Sequence, residues 1–483
     1  MGRLNVPDAE RPVPMPSPES RPPVPRGHAA AGAAGLAFDL HHPPSPELIA
    51  DCVHCGFCLP ACPTYVLWGE EMDSPRGRIL LMDLAQRGER PLTEDMVAHW
   101  DACLGCLACV PACPSGVAYD RLLESTRQQV ERRFRRPLRE RLWRAGIFSL
   151  LPHPAALRVA AGALWIGQAS GLQARLAALV AQGQPASRVQ ALARLAPVVD
   201  PRRLAGRLPA PRRPSNGARA RLRVGLLGGC VQRVLQPHVN DATAAVLAAY
   251  GAEVRVPPRQ GCCGALELHA GREEPALHRA RRLVADFEDP TLDRIAVNAA
   301  GCGAMLRSLG RLLEDDPEWS ERAAVVAAKV RDVTEILDEL GPPEALRPLP
   351  LRVAYHDACH LAHAQGVREV PRRVLRAVPE LELLEVPEGD LCCGSAGTYN
   401  LTEVAAARDL GRRKAANIGS VGADCLVAGN PGCLLQIRAA LSESGDPLPA
   451  FHPVELIAGS LSGSGASAFM VPRAGRVAAA RLT

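Results

Sequence analysis

The chain has 483 residues and a formal net charge of +5, and 47% of its residues are hydrophobic, as in a globular protein with several domains. Its 17 cysteines fall mostly into clusters, which favours metal or redox chemistry in a reducing compartment over a secreted disulfide framework. Aromatic residues make up only 4% and no nucleic-acid recognition motif is visible, so the sequence argues against nucleic acid as a partner.

Residues 1–46 are predicted to form a disordered tail, because they contain 11 prolines and no apolar run typical of a secretory signal. The best candidate for a membrane span, residues 159–174, is only 16 residues long and carries Gln and Ser. That is shorter than a membrane-spanning helix requires. We therefore expect a cytoplasmic protein, and contact with the cytoplasmic face of the inner membrane stays open.

Residues 47–125 contain two cysteine runs with the same C-x2-C-x2-C-x3-C-P spacing, "CVHCGFCLPACP" at 52–63 and "CLGCLACVPACP" at 103–114. This spacing is typical of bacterial [4Fe–4S] clusters. The first three cysteines of a run wrap one cluster and the fourth points toward the partner cluster, so the ligands cross over. The predicted ligands are, for cluster one, Cys52, Cys55, Cys58 and Cys113, and, for cluster two, Cys103, Cys106, Cys109 and Cys62.

Zinc is the alternative for these runs, but zinc sites usually show paired C-x2-C units rather than three cysteines plus one. The segment between the runs has a mostly helical pattern, with "SPRGRI" at 74–79 opening a helix. It predicts a helical dicluster domain rather than a compact β-rich ferredoxin. Arg76 and Arg78 either lie near the clusters and tune their potential, or cap and pair at the surface.

A basic, helix-rich linker is predicted over residues 126–222, with breaks at Pro137, at Pro152 and Pro154, and at Pro185. Residues 127–223 contain 20 arginines, no lysine and three acidic residues. Such a block suits peripheral contact with an anionic membrane or with an acidic partner. A solvated basic linker is the equally weighted alternative.

Residues 223–465 form an internal repeat, in which "RVGLLGGC" at 223–230 matches "RVAYHDAC" at 352–359. A Cys-Cys-Gly triplet begins 32 residues after the first of these cysteines and 33 residues after the second, and a further cysteine follows the pair by 39 and 40 residues. Short apolar strands alternate with helices in both copies, which predicts two α/β domains with mostly parallel sheets. We place them at residues 223–345 and 346–465, with a C-terminal tail at 466–483.

Each copy contributes four cysteines that follow predicted strands and should therefore meet at the carboxyl edge of a sheet. They are Cys230, Cys262, Cys263 and Cys302 in the first copy, and Cys359, Cys392, Cys393 and Cys433 in the second. Four thiolates suit one zinc ion or one further cluster. A transient vicinal disulfide and a set of inert buried thiols are the alternatives.

Other candidates near these cysteines are weaker. Cys425 lies within a predicted strand and is expected only to pack. His356, His360 and His363 lie close to Cys359 in the sequence and are candidates to ligate or tune a site there. The first copy offers histidines only at non-equivalent positions, His238 and His269.

The order of these motifs resembles the iron–sulfur subunits of glycolate oxidase, also called glycolate dehydrogenase, in the family that joins a dicluster ferredoxin to CCG domains. The resemblance covers residues from about 46 to 465. Lactate and anaerobic glycerol-3-phosphate dehydrogenases have iron–sulfur subunits with the same layout, as does the cysteine-rich subunit of heterodisulfide reductase. The motifs that carry it are "CVHCGFCLPACPTY", "DSPRGRI", "CLGCLACVPACPSGV", "CCGALELHAG", "HDACHLAHAQG", "LCCGSAGTYN" and "GNPGC".

The resemblance implies an electron-transfer subunit that works beside FAD-binding partner subunits in a hetero-oligomer. The partner's flavin would oxidise glycolate to glyoxylate, and the two [4Fe–4S] clusters would pass the electrons to an acceptor such as quinone. The residues agree with this division, since no G-x-G-x-x-G motif follows a strand and a chain without a hydride-accepting cofactor cannot oxidise a hydroxy acid alone. No catalytic residue is therefore assigned to this chain.

The end of each repeat departs from the pattern of heterodisulfide reductase. In heterodisulfide reductase the CCG domains close with C-x-x-C and hold clusters through five cysteines, whereas "GCGAML" and "GCLLQI" carry one cysteine each. A five-cysteine cluster is therefore not predicted. The alternatives to glycolate oxidation are lactate or glycerol-3-phosphate oxidation beside a flavin subunit, or a thiol–disulfide reductase acting at the CCG cysteines.

Overall fold

The computed structural model describes residues 37–171, 188–201, 207–215, 217 and 219–470. Most of the predicted N-terminal tail, the predicted break at Pro185 and the last residues of the chain lie outside these ranges. Within them, Phe38 is already buried, and its ring centroid lies 6.0 Å from that of Trp100. At the other end, Phe469 packs edge-on against Phe451 with a centroid distance of 5.0 Å.

The N-terminal unit is helical, as predicted, and is built around the buried side chains of Met82, Trp100 and Leu122. Its longest inter-motif helix starts at the predicted place, because Ser74 caps it by accepting a hydrogen bond from the Gly77 amide at 3.0 Å. The helices of the unit are Pro46–Ala50, Pro63–Trp68, Pro75–Gln86, Glu94–Asp101 and Tyr119–Arg133, with a 3₁₀ turn at Glu71–Asp73.

The basic linker is also helical, and prolines set its breaks. Pro137 caps one helix and Pro154 opens the next, where a missing amide proton costs nothing. No single helix among the described residues is long and apolar enough to cross a membrane, although one pair bent by 101° passes by length and composition. The described linker helices are Leu138–Leu150, Pro154–Ala169 and Arg188–Leu195.

Arginines at the start of the linker bind neighbouring parts of the chain. Arg132 pairs with Asp39 and with Glu273, both at 3.0 Å, and so ties the N-terminal unit to the first repeat. Arg136 pairs with Asp101 at 2.6 Å. Part of the positive charge of the linker is therefore neutralised by ion pairs within the protein and does not face a partner.

The two repeats each form a four-stranded parallel sheet, which confirms the predicted α/β class. The strand orders are β2-β1-β3-β4 and β6-β5-β7-β8. The sequence did not indicate β4 and β8, which span only three and two residues. The strands are β1 Leu222–Leu226, β2 Ala252–Arg255, β3 Arg294–Val297, β4 Val330–Asp332, β5 Leu351–His356, β6 Leu381–Glu385, β7 Cys425–Ala428 and β8 Ala450–Phe451.

Helices cover both sheets, and the two repeats share one apolar core in which Val224 of β1 and Val353 of β5 are fully buried. The first repeat has helices Val231–Leu235, Pro237–Ala249, Ala265–Leu268, Glu273–Phe287, Ala300–Arg307, Leu309–Leu312, Ser320–Lys329 and Val333–Leu340. The second has helices Glu369–Arg376, Tyr399–Thr402, Val404–Ser420, Pro431–Glu443 and Pro453–Ser462, with a π-helical turn at His360–Ala364 and a 3₁₀ turn at Ala466–Phe469.

The glycine after each cysteine pair is required by the turn it makes. Gly264 and Gly394 have φ of +89° and +86°, a region that residues with a Cβ rarely adopt. A Cβ on Gly394 would also lie 2.6 Å from the carbonyl oxygen of Ala407. The chain can therefore fold the cysteine pair back onto the helix Val404–Ser420 only because this position has no side chain.

We expect Gly394→Ala to lower the free energy of unfolding by at least about 1 kcal/mol, since the new Cβ meets both backbone strain and the Ala407 carbonyl. Gly261→Ala is the matched control, because a Cβ there meets nothing within 4 Å. Urea unfolding followed by circular dichroism compares the two. Equal stability of the two variants would contradict the prediction.

Candidate metal centres

The two cysteine runs of the helical unit lie against each other, with the fourth cysteine of each beside the other run. Burial raises the pKa of the Cys52 thiol, and nearby Cys113 raises it further. Burial likewise raises the pKa of Cys106 and of Cys109, and Cys62 adds to both effects. The structure thus brings Cys113 to the first run and Cys62 to the second, which fits crossed ligand sets.

The two groups of four thiols differ in their access to solvent. Cys55 is exposed and Cys52, Cys58 and Cys113 are half-buried. The other group is buried: Cys62, Cys103, Cys106 and Cys109. One group therefore lies near the protein surface, where a partner can reach it, and the other lies inside the chain.

Arg78 is the cation of the buried group. Its side chain is 1% exposed, and it donates to the Cys62 sulfur at 3.9 Å and to the Thr64 hydroxyl at 3.1 Å. Burial opposes its charge, but the pKa of Arg78 is still raised because Cys103, Tyr119, Cys62 and Asp73 surround it. The guanidinium stays charged and offsets negative charge on the sulfurs.

Cys103 shows the effect of that charge. Burial alone would raise the pKa of its thiol, but Arg78 and Arg127 lower it below the ordinary value. The Gly105 amide and the Tyr119 hydroxyl also donate to its sulfur, at 3.4 and 3.6 Å. The thiolate form, which is the form that binds metal, is thereby favoured.

Arg76 has a different role from Arg78, although the two share one helix. It forms an ion pair with Glu71 at 2.5 Å and donates to the His54 carbonyl oxygen at 2.8 Å. His54 lies inside the first cysteine run, so Arg76 braces that loop from outside. Arg78 thus lies beside the buried cysteines, whereas Arg76 combines the two predicted roles, because it pairs with Glu71 nearer the surface and also lies beside Cys52 and Cys58.

The four cysteines of the first repeat converge at the carboxyl edge of its sheet. The sulfurs of Cys230 and Cys262 lie 3.4 Å apart, and those of Cys263 and Cys302 lie 3.2 Å apart. Hydrogen bonds from Cys230 and Cys263 lower the pKa of the Cys262 thiol well below its usual range, and nearby Arg279 contributes. One thiol of the group is thus prepared to ionise.

The second repeat gathers its cysteines in the same way. Cys359 interacts with Cys392, Cys392 with Cys393, and Cys393 with Cys433, so the four free thiols form one connected group. A nitrogen of His356 joins Cys393 and Cys433, and the three ligand atoms all lie within 4.8 Å of one another. Cys392 and Cys393 are both free thiols, and Cys425 lies apart from them in the apolar core.

The second repeat centre also contacts the buried group of the helical unit. Burial raises the pKa of Cys106, and Cys359 is the neighbour that adds most to this effect. Leu67, Leu104 and Tyr399 pack around these cysteines, and the Tyr399 hydroxyl donates to the Ala102 carbonyl oxygen at 3.1 Å. Two candidate metal centres therefore lie side by side in an apolar environment.

A cavity of about 510 Å³ lies between the two repeats and the linker helices. Seven of the eight repeat cysteines line it, and Leu157, Leu164 and Leu195 form its opposite wall. His269 and His360 meet at its edge, with 3.2 Å between their Nε2 atoms. Burial lowers the pKa of both imidazoles, that of His360 to about 4, so the pair is neutral near pH 7.

The donor atoms fit thiophilic metals. Thiolates are the ligands of iron–sulfur clusters and of structural zinc, and each group offers four. Most of the buried thiols have a raised pKa, so they keep their protons near neutral pH and release them when a metal binds. The residues of the helical unit and of both repeats are therefore suitable for such groups.

Sequence reasoning missed several functional contacts. It treated His269 as unrelated to His360, which the structure places beside it, and it did not single out Lys414 or the apolar wall of the cavity. His363 lies away from the sulfurs, near Arg368 and the Asp390 carbonyl, and His238 pairs with Glu455. A residue-by-residue comparison of the two repeats could have identified Lys414, because the equivalent residue of the first repeat is a leucine.

A helical unit with two C-x2-C-x2-C-x3-C-P cysteine runs, followed by two parallel α/β units with four thiols each, defines a dicluster iron–sulfur protein with tandem CCG domains. The family model of the 4Fe-4S dicluster domain matches residues 48–117, and that of the cysteine-rich CCG domain matches 224–307 and 353–438. The model of the linker region of the glycolate oxidase iron–sulfur subunit matches residues 139–179.

Whole-chain relatives give the same result. The probable glycolate oxidase iron–sulfur subunit of Bacillus subtilis (strain 168) is 36% identical over 415 residues, which are 85% of this chain and 93% of the relative. The glycolate oxidase iron–sulfur subunit of Escherichia coli (strain K12) is 36% identical over 82% of this chain and 91% of its own. The chain belongs to the family of glycolate oxidase iron–sulfur subunits.

More distant proteins match in part. Lactate utilization protein A of Geobacillus thermodenitrificans (strain NG80-2) is 30% identical over 237 residues, which are 49% of this chain and 98% of the relative. A hypothetical protein from Helicobacter pylori has a crystal structure that matches with a TM-score of 0.50 at 8% identity, over 84% of this chain and 69% of that chain. This last match indicates a shared fold only.

We expect Arg78→Leu to lower the free energy of unfolding by about 3 kcal/mol, because it leaves the Asp73 carboxylate without its buried guanidinium partner. Arg76→Leu, on the same helix, removes a more exposed ion pair and should cost less than about 1 kcal/mol. Chemical unfolding under anaerobic conditions measures both. A larger loss for the Arg76 variant would contradict this assignment of roles.

Proposed function

We propose that this chain is the electron-transfer subunit of a multi-subunit, flavin-dependent 2-hydroxy-acid dehydrogenase that oxidises glycolate to glyoxylate. The observation that carries the proposal is that Cys106 of the helical unit and Cys359 of the second repeat lie in one buried apolar cluster, in a member of the glycolate oxidase iron–sulfur family. That cluster joins two thiol centres that differ in sequence position by more than two hundred residues. It supports a route through the chain rather than isolated structural sites.

The chemistry divides between subunits. Oxidation of glycolate transfers two electrons and two protons to FAD on the partner subunit. When the flavin is reoxidised it releases the protons, and this chain passes on the electrons one at a time. Bound [4Fe–4S] clusters supply the one-electron steps. The side chains of this chain hold the sulfurs, exclude water around Cys103 and Cys106, and place the Arg78 charge beside them.

The ligand sets we propose are crossed. Cys113 completes the first run because it lies beside Cys52, and Cys62 completes the second because it lies beside Cys106 and Cys109. The partly exposed first group is the one that a flavin subunit can approach. The buried second group faces the second repeat.

The cavity between the repeats supports an apolar electron acceptor, and quinone is the class we propose. Its wall of Leu157, Leu164 and Leu195 suits a hydrophobic ring, and the thiol centres of both repeats open into it. The neutral His269–His360 pair at its edge offers imidazole nitrogens for a hydrogen bond to a quinone oxygen without placing a charge in the apolar cavity.

The linker supports peripheral membrane contact, where quinone resides. Leu138 and Leu142 are 66% and 64% exposed, and Arg135 and Arg139 beside them are exposed as well. Val159 and Ile166 on the next linker helix are also exposed, at 76% and 61%. Exposed leucines next to arginines are typical of helices that lie on an anionic lipid surface.

Lactate is the second candidate substrate. Lactate utilization protein A matches about half of the chain at 30% identity, and the pocket that selects the hydroxy acid belongs to the partner subunit in this proposal. Comparing glycolate, lactate and glycerol 3-phosphate as donors for the assembled complex decides between them.

The crossed ligand sets predict which cysteine variants behave alike. Cys113→Ala should lose about four irons and leave the same electron paramagnetic resonance spectrum as Cys52→Ala, because both remove cluster one. Cys62→Ala should match Cys103→Ala. Cys425→Ala is the control and should keep the wild-type iron content, since Cys425 lies in the apolar core. A Cys113→Ala spectrum that matches Cys103→Ala would show uncrossed ligation.

The assembled complex tests the function. We expect the chain, purified with its FAD-binding partners, to support glycolate-dependent reduction of both a small dye and a short-chain quinone. Leu164→Trp should fill part of the cavity and reduce quinone reduction about tenfold while dye reduction stays at the wild-type rate. No glycolate-dependent dye reduction in any combination of subunits would refute the proposed function, and equal loss of both activities in the Leu164 variant would refute the quinone site.

A further inference from the structure

The two repeats differ in what lies beneath their cysteines. The match of "RVGLLGGC" with "RVAYHDAC" sets Leu227 of the first repeat against His356 of the second. The helix behind the cysteine pair gives a second difference. Gly264 lies against Ala276 in the first repeat, and Gly394 lies against Ala407 in the second, so these two alanines are equivalent. Leu283 follows Ala276 by seven residues and Lys414 follows Ala407 by seven, so Leu283 and Lys414 are equivalent too. Two leucines of one repeat are thus a histidine and a lysine in the other.

Both polar replacements are deeply buried. His356 and Lys414 are each 1% exposed, and Leu227 and Leu283 belong to the apolar core of the first repeat. The Nδ1 atom of His356 is buried and has no hydrogen-bond partner among the residues that the structure describes. A buried polar atom without a partner destabilises a fold, so a leucine would serve packing better at this position.

The position of His356 explains why a histidine is present. One of its ring nitrogens and the sulfurs of Cys393 and Cys433 lie within 4.8 Å of one another. Interactions between neighbouring thiols connect these two cysteines to Cys392 and Cys359. One imidazole and several thiolates therefore converge on a point at the carboxyl end of β5 and β7, the strands that carry His356 and precede Cys433.

Lys414 favours the metal-binding form of these groups. It donates to the Glu388 carbonyl oxygen at 2.6 Å, which fixes the ammonium below the cysteine pair. The same ammonium interacts with Cys393 and Cys392 and offsets the charge of their thiolates.

We propose that His356 is a metal ligand of the second CCG centre, together with Cys393 and Cys433, whereas the centre of the first repeat has only thiolates to offer. An iron of a cluster and a zinc ion both accept imidazole and thiolate ligands, so the donor set defines a thiophilic metal of either kind. On binding, the cysteines release their thiol protons and His356 shares a ring lone pair without losing a proton. The inference rests on the proposed function only in requiring a metal at the second repeat.

The test uses the full chain, reconstituted anaerobically with iron and sulfide or with zinc. Iron, zinc and acid-labile sulfide per chain are measured after gel filtration with a chelator, and pulsed electron paramagnetic resonance of the reduced protein detects nitrogen bound to iron. We expect the wild type to hold metal in addition to the roughly eight irons of the dicluster unit. In His356→Gln the amount of this additional metal should fall about tenfold or more. If that metal is iron, a histidine nitrogen coupling should be present in the wild type and absent in the variant.

Two further variants keep the result interpretable. His356→Cys offers a thiolate in place of the imidazole, so it should retain the metal but lack the nitrogen coupling, and it decides the matter if the Gln variant does not fold. His452→Asn is the matched control, since His452 is equally buried and caps the helix Pro453–Ser462, where Asn also serves. It should leave metal content and spectrum unchanged.

Three outcomes would overturn the inference: unchanged metal in His356→Gln, a nitrogen coupling that persists in His356→Cys, or a wild-type chain that holds no metal beyond the dicluster irons. The last outcome would leave glycolate-dependent dye reduction intact. A failure of that assay would, in turn, leave the metal content and the nitrogen coupling unaffected, so the two proposals fail separately.

Discussion

Negative charge on buried sulfur is the interaction on which the arrangement of this chain depends. A thiol must lose its proton to bind metal, and a buried thiolate is costly unless a cation lies near it. Each buried group has at least one cation beside it: Arg78 and Arg127 at Cys103, Arg279 at Cys262 and Lys414 at Cys393. The burial that makes these centres suitable for electron transfer is possible because the fold supplies these charges from neighbouring elements.

The same need explains part of the basic linker. Arg127 donates to the carbonyl oxygens of Cys103 and His269, so it joins the second cysteine run to the first repeat while it lowers the pKa of Cys103. Arg132 and Arg136 pair with acids on both sides of the linker. The predicted surface for a partner is therefore smaller than the count of arginines suggests, and it is concentrated where leucines are exposed beside them.

Duplication gave two sheets with the same strand order and a shared core, and the copies then diverged at the sites. The first keeps leucines beneath its cysteines, while the second has His356 and Lys414 and lies against Cys106. Contact with the dicluster unit and the extra ligand candidate occur in the same repeat. The two repeats therefore differ in the charged and polar groups beneath their cysteines and in how close they lie to the dicluster unit.

The sequence alone determined the helical dicluster unit, the duplicated parallel α/β units and the family, because fixed cysteine spacings and repeated strand patterns depend only on local geometry. The sequence did not predict that Phe38 is buried or that β4 and β8 form, since these segments are held in place by packing against distant residues. Only the tertiary structure decided that Cys106 meets Cys359, that His269 meets His360 and that leucines of the linker close a cavity over the thiols. The first two contacts join segments more than ninety residues apart, and no local pattern encodes which surfaces of separate domains will be buried against each other.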